Sequence, residues 1–210
     1  MTSVLFIKAN NRPAEQAVSV QMYDTFLKTY KERNPQDTII ELDLYSAELP
    51  YYGNETISGL YKNAQGLEAT AEERLAAEIA NRYLDEFLSV DKVVFAFPLW
   101  NLTVPAPLIT YLSYLLQAGK TFRYTAEGQP EGLIGDKKFA LLNARGSDFS
   151  SEEVAPLDMG LNYVKNIIGL LFGIKNPESV VIEGHAKYRD QAAEIIESGL
   201  KKTAELAARF

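Results

Sequence analysis

The chain has no cysteine among its 210 residues. Disulfide frameworks, thiolate zinc sites and cysteine nucleophiles are therefore excluded. With a single histidine, His185, no histidine-rich metal site is expected either. Long apolar runs are missing: the longest, VVFAFPLW and IIGLLFGI, fall far short of the ~20 residues a membrane span needs. The opening MTSVLFIKA lacks the basic region, long apolar stretch and small-residue cleavage site of a signal peptide, so a soluble cytoplasmic protein with no membrane partner is expected. Positive charge is also short: the net charge is -7 and the pI about 4.9, which disfavours nonspecific nucleic-acid binding. What is present is ordinary globular composition, 47% hydrophobic and 23% charged. The length suits one domain over residues 1–210 with a sizeable core.

Five short runs rich in β-branched and aromatic residues stand apart: SVLFIKA from Ser3, TIIELDL from Thr38, KVVFAF from Lys92, KKFALLN from Lys137 and SVVIEG from Ser179. Segments of helical period separate them, over Glu15–Arg33, Glu72–Leu88, Pro105–Ala118, Leu157–Phe172 and Asp190–Ala208. Strand–helix alternation with nearly continuous apolar strands implies an α/β fold, a parallel sheet with helices on both faces. A five-stranded flavodoxin-like order, 2-1-3-4-5, fits best. Two connections, Tyr45–Thr70 and Gly119–Asp136, exceed that minimal fold and read as long loop insertions. The chain has no internal repeat and no low-complexity tract.

In such a sheet ligands sit beyond the carboxyl ends of the strands, where the order reverses. Three segments leave those ends. KANNRPAEQAVS (Lys8–Ser19) carries Asn10 and leads into a helix whose free N–H groups and Ser19 would seat a phosphate, or form a plain capped turn. PLWNL (Pro98–Leu102) brings the only tryptophan, Trp100, and Asn101 to the sheet edge, stiffened by Pro105. This is either a floor for a flat ring or a buried tryptophan. NARGSD (Asn143–Asp148) includes Gly146, which permits close backbone approach to a ligand but also suits a simple turn.

Other chemistries fail on residues. Gly119-Lys120-Thr121 has the tail of a phosphate-binding Walker loop, but the earlier glycine position holds Tyr114 and the segment follows a helix. No G-x-G-x-x-G follows the first strand, and no G-x-S-x-G elbow exists. His185 reads as an exposed or hydrogen-bonded loop residue rather than a general base, with a place in the crevice wall as the alternative.

Taken together, VLFIKANNRPAEQAVSV, PLWN, AGKTFRYT, GLIG and NARG, in that order along the chain, resemble the bacterial FMN-dependent NADH azoreductases, also called NADH:quinone oxidoreductases. The resemblance implies bound FMN and NADH as hydride donor, with quinones or azo compounds as acceptors reduced in ping-pong fashion. It implies a phosphate loop at Ala17, Val18 and Ser19, with Asn10 upstream where serine is common. The isoalloxazine would be held by Pro98, Leu99, Trp100, Asn101 and Leu102. Its pyrimidine end would meet Asn143, Ala144, Arg145, Gly146 and Ser147, the last in place of a common second glycine. No side chain is expected to be catalytic in its own right, because the cofactor carries the chemistry.

The resemblance also implies a homodimer with its pocket at the subunit boundary. The apolar segment Gly160–Ile174, with Tyr163, Ile167, Ile168, Leu171 and Phe172, is expected to leave a surplus face for it. Two other classes share the topology. A flavodoxin-type electron carrier would act with a protein partner, and the insertions here favour a small-molecule pocket. A receiver-type regulatory domain needs acidic residues at the ends of strands one and three, where this chain has Asn10, Asn11 and Trp100.

Overall fold

The computed structural model describes residues 1–210. Five strands, β1 (Ser3–Lys8), β2 (Thr38–Asp43), β3 (Lys92–Pro98), β6 (Lys138–Arg145) and β7 (Glu178–Glu183), form one parallel sheet in the order β2-β1-β3-β6-β7. With the short hairpin strands β4 (Phe122–Tyr124) and β5 (Pro130–Gly132) set aside, this is the expected 2-1-3-4-5 arrangement.

Successive side chains of a strand point to opposite faces, so each central strand feeds two cores. Val4 and Phe6 of β1, Val94 and Ala96 of β3, and Ala140, Leu142 and Ala144 of β6 face helices α1 (Val18–Arg33) and α6 (Ala192–Arg209). Leu5, Ile7, Val93, Phe95, Phe97, Phe139 and Leu141 face the other way. There they meet α3 (Ala71–Ser89), α4 (Ala106–Leu115) and α5 (Met159–Asn166). On β3 and β6 the alanines lie on the α1 side and the phenylalanines opposite, and α1 closes its side with its own Phe26 and Tyr30.

The insertions are not loops throughout. The first contains α2 (Asn54–Gln65), closed by Gly66 in the left-handed region at φ 66°. The second contains the β4–β5 hairpin, with Phe122 opposite Gly132. The expected helical segment Leu157–Phe172 splits into α5 and a π-helical turn, Ile167–Leu171. No helix is long and apolar enough to cross a membrane.

Candidate active site

The three expected segments converge at the carboxyl ends of β1, β3 and β6. Asn10, Ala17, Val18, Ser19, Pro98, Leu99, Trp100, Ala144, Arg145 and Gly146 line one cleft of about 260 Å³, together with Arg12, Gln16, His185 and Ala186. Asn101 and Leu102 stand exposed on the turn beyond Trp100, and Ser147 is exposed beyond Gly146. Asn143 lies elsewhere: it is fully buried within β6, where its Nδ2 donates to the Phe97 carbonyl at 3.1 Å. That bond ties the ends of β3 and β6 together.

At the β1 end the buried Asn10 amide spans the loop. Its Oδ1 accepts from the Arg12 N–H and its Nδ2 donates to the Ser19 hydroxyl, each at 2.9 Å. A short 3-10 turn, Ala14–Gln16, intervenes, and Ala17 in extended conformation opens α1 with no side-chain cap. The Val20 and Gln21 N–H groups bond the Ala17 carbonyl, whereas those of Val18 and Ser19 make no turn hydrogen bond. An uncapped helix start with free N–H groups in a cleft is an anion seat.

At the β3 end the turn Trp100–Thr103 closes with two backbone bonds, Trp100 N–H to Thr103 at 2.9 Å and Thr103 N–H to Trp100 at 3.1 Å. Trp100 is half-exposed rather than buried in a core, and Tyr45 meets its ring edge-on at 6.4 Å. Of the two readings of this segment, a fully buried tryptophan is not what the structure shows.

At the β6 end Arg145 is committed to structure. Its guanidinium bonds Asp158 and, through Nε, Glu183 at 3.0 Å. The same Glu183 carboxylate accepts from the Phe149 N–H at 3.0 Å, and Asp158 caps α5 by accepting from the Leu161 N–H at 3.0 Å. The pair holds the loop after β6 in place, and what this loop offers the cleft is backbone and Gly146. Asp148 fastens the loop further. Hydrogen bonds from Ser150, then from Tyr188, hold its carboxyl well below the usual range.

Of the two readings of His185, the place in the crevice wall is the one the structure shows, not the exposed or hydrogen-bonded loop residue. The side chain is half-buried, lines the cleft, and its Nδ1 has no partner. Burial pushes its pKa below the ordinary value. Arg12 and Gln16 stood in the quoted first segment; Ala186 becomes visible as a cleft residue only once β7 is placed beside β6.

The fold and this cleft define a class: flavodoxin-like proteins that bind a ligand at the strand ends of a 2-1-3-4-5 sheet. A family model described as "Flavodoxin-like fold" matches residues 2–207. The chain is 62% identical over 210 residues, all of both chains, to FMN-dependent NADH:quinone oxidoreductase 2 of Bacillus cereus (strain ATCC 10987 / NRS 248). It is 57% identical, with TM-score 0.96 and full coverage of both chains, to the crystal structure of azoreductase from Bacillus anthracis str. Sterne. An FMN-dependent NADH-azoreductase from Bacillus anthracis str. Ames Ancestor, in complex with FMN, matches at 26% identity and TM-score 0.88, covering 100% of this chain and 99% of that one. The chain belongs to the flavodoxin-like family and, within it, to the FMN-dependent NADH:quinone oxidoreductases and azoreductases.

The residues present fit FMN. The uncapped start of α1 suits its phosphate, half-exposed Trp100 suits a flat ring, and the unpartnered His185 Nδ1 suits a polar ring edge.

Proposed function

We propose that the protein is an FMN-dependent oxidoreductase that passes two electrons from NADH to quinones or azo compounds. The observation that carries this reading is the convergence of an uncapped helix start, a tryptophan turn and a pinned glycine loop on one cleft. The relatives named as FMN-dependent NADH:quinone oxidoreductases and azoreductases support it.

Bound FMN supplies the redox chemistry, taking a hydride from NADH and giving two electrons to a quinone, or over two rounds to an azo bond that parts into two amines. The chain's residues bind and orient. The N–H groups of Val18 and Ser19 hold the phosphate, each charge-assisted bond contributing about 1.5–3 kcal/mol. Leu99, Trp100, Asn101 and Leu102 present a preformed ledge to one ring face, so nothing there has to be ordered on binding. N–H groups of the Ala144–Ser147 loop, part of which lines the cleft, would meet added negative charge on the ring edge. A ring seated on that ledge would leave its opposite face to donor and acceptor in turn, a ping-pong reaction. No side chain has to act as a nucleophile. NADH as donor suits a cytoplasmic location, and large apolar side chains left in solvent support a homodimer that walls the open face.

An absorption spectrum of the protein reconstituted with FMN and desalted tests this directly, followed by NADH consumption with a quinone and no added protein. Flavin bands that stay with the protein and quinone-dependent NADH oxidation are expected. Loss of all flavin on desalting would sink the proposal; flavin retention with NADH oxidation only in the presence of a second protein would favour an electron carrier instead.

A further inference from the structure

The one histidine of the chain stands in the cleft wall with a ring nitrogen unused. A buried polar atom without a partner is costly and uncommon, and its persistence points to a partner that a bound group supplies. His185 Nδ1 is such an atom. Its segment is firmly stitched to the loop after β6. The Gly184 N–H bonds the carbonyls of Arg145 and Ser147 at 3.2 and 3.1 Å, the Ala186 and Lys187 N–H groups bond Gly146 at 3.0 and 3.2 Å, and Tyr188 N–H returns to Gly184 at 2.8 Å. Gly184 takes φ 83°, a left-handed turn that a side chain would strain, so the segment has little freedom to carry the imidazole away.

The charged groups of the surrounding segments are otherwise engaged. Arg145, at the end of β6, is paired with Asp158, before α5, and with Glu183, on the histidine's own side. Asp148, in the loop after β6, is bonded by Ser150, Tyr188 and Lys187. Arg12, after β1, reaches Gln16 at 3.4 Å. Burial alone accounts for the lowered pKa of the imidazole, which is therefore neutral at pH 7 with one donor and one acceptor nitrogen. In the sheet order the phosphate seat is at β1, the tryptophan at β3, and His185 at the far end, past β7.

Resting on the FMN reading, we propose that His185 is a ligand to the polar, pyrimidine edge of the bound isoalloxazine and takes up a solvent proton when two electrons from NADH make that edge negative. The residue orients the ring and neutralises the added charge; it donates nothing to NADH or to the acceptor.

Because the chain has one histidine, its imidazole signals in a ¹H–¹³C spectrum need no assignment. The apoprotein, the FMN-loaded protein and the NADH-reduced protein, held without oxygen, are each titrated with acid. The signals are expected to move when FMN binds, and the midpoint, below the ordinary histidine range in the apoprotein, is expected to rise on reduction. His185→Leu should bind FMN about fivefold more weakly, the loss of one hydrogen bond, while His185→Gln keeps most of the affinity. Proton uptake on reduction should fall in both. Imidazole signals that stay fixed while flavin absorbance shows full loading would overturn the assignment alone. A protein that takes up no FMN overturns the functional reading and this assignment with it.

Discussion

Two neighbouring residues after β3, Asn101 and Leu102, occupy the left-handed region at φ 51° and 67°. Asparagine tolerates that conformation; leucine gives up about 1–2 kcal/mol to hold it. The turn persists because its flanks fix it: the Leu99 N–H bonds the Ala144 carbonyl at 2.9 Å, the Trp100–Thr103 pair closes the loop, and Val104 and Pro105 are buried just beyond. Strain held by its surroundings is common at ligand sites, where it keeps a surface in one shape. Here the shape is the ledge bearing Trp100. Trp100→Ala should weaken FMN binding about tenfold through lost ring packing. Stability of the apoprotein should change little, because the side chain is half-exposed, with Tyr45 edge-on to its ring at 6.4 Å. FMN titration followed by fluorescence, with urea unfolding of the apoprotein alongside, checks both halves. Unchanged affinity with a large stability loss would make Trp100 a core residue.

The elements that frame the site depend on close backbone approach as much as on apolar area. Helix α2 lies against α3 at Gly59, where a Cβ would come within 2.1 Å of the Glu73 carbonyl oxygen. The contact is locked by Lys62 Nζ on Glu73 at 2.6 Å, while Glu73 and Thr70 complete a capping box at the start of α3. Gly59→Ala would gain about 1 kcal/mol of helix propensity, yet overpacking of this kind costs roughly 3 kcal/mol, so net destabilisation is expected. Urea midpoints measure it, and a stabilised variant would contradict the packing. The five sheet strands and their helices were legible because each carries an apolar run or a helical period long enough to read. The cleft was legible because the order 2-1-3-4-5 dictates which strand ends meet. Other features needed coordinates. In α2, Ile57, Leu60 and Tyr61 are too few to stand out from a loop, although Gly66 was a usable stop signal. The hairpin strands are three residues each, below any periodicity. Arg145 read as a ligand-side residue because its partners, Asp158 and Glu183, are distant in sequence and meet it only through β7 and α5.

At the scale of the whole molecule the accounting for apolar surface differs from the expectation for Gly160–Ile174. Ile167, Ile168 and Phe172 are buried in the subunit's own core, and Tyr163 and Leu171 pack against it. The side chains left in solvent are others: Leu170 at 62% exposure, Met159 at 51% and Leu157 at 46% around α5, with Tyr51 at 85% and Tyr124 at 64% on the insertions. Single exposed apolar residues are ordinary, but large ones gathered on α5 and on the insertions are what a twofold interface consumes. A second copy would cover them and wall the open face above Trp100, and such an interface should bury more than about 1,000 Å² in total. Light scattering at micromolar concentration should therefore give the mass of two 23.4 kDa chains, and specific activity should fall as the protein is diluted below the dissociation constant. Leu170→Lys, a charge placed in the contact, should shift the equilibrium toward monomer and lower activity while FMN remains bound at its usual affinity, since Leu170 is not among the residues lining the cleft. A monomer whose specific activity is constant across the dilution series would mean that the insertions close over their own flavin, and the second copy would have no part in the site.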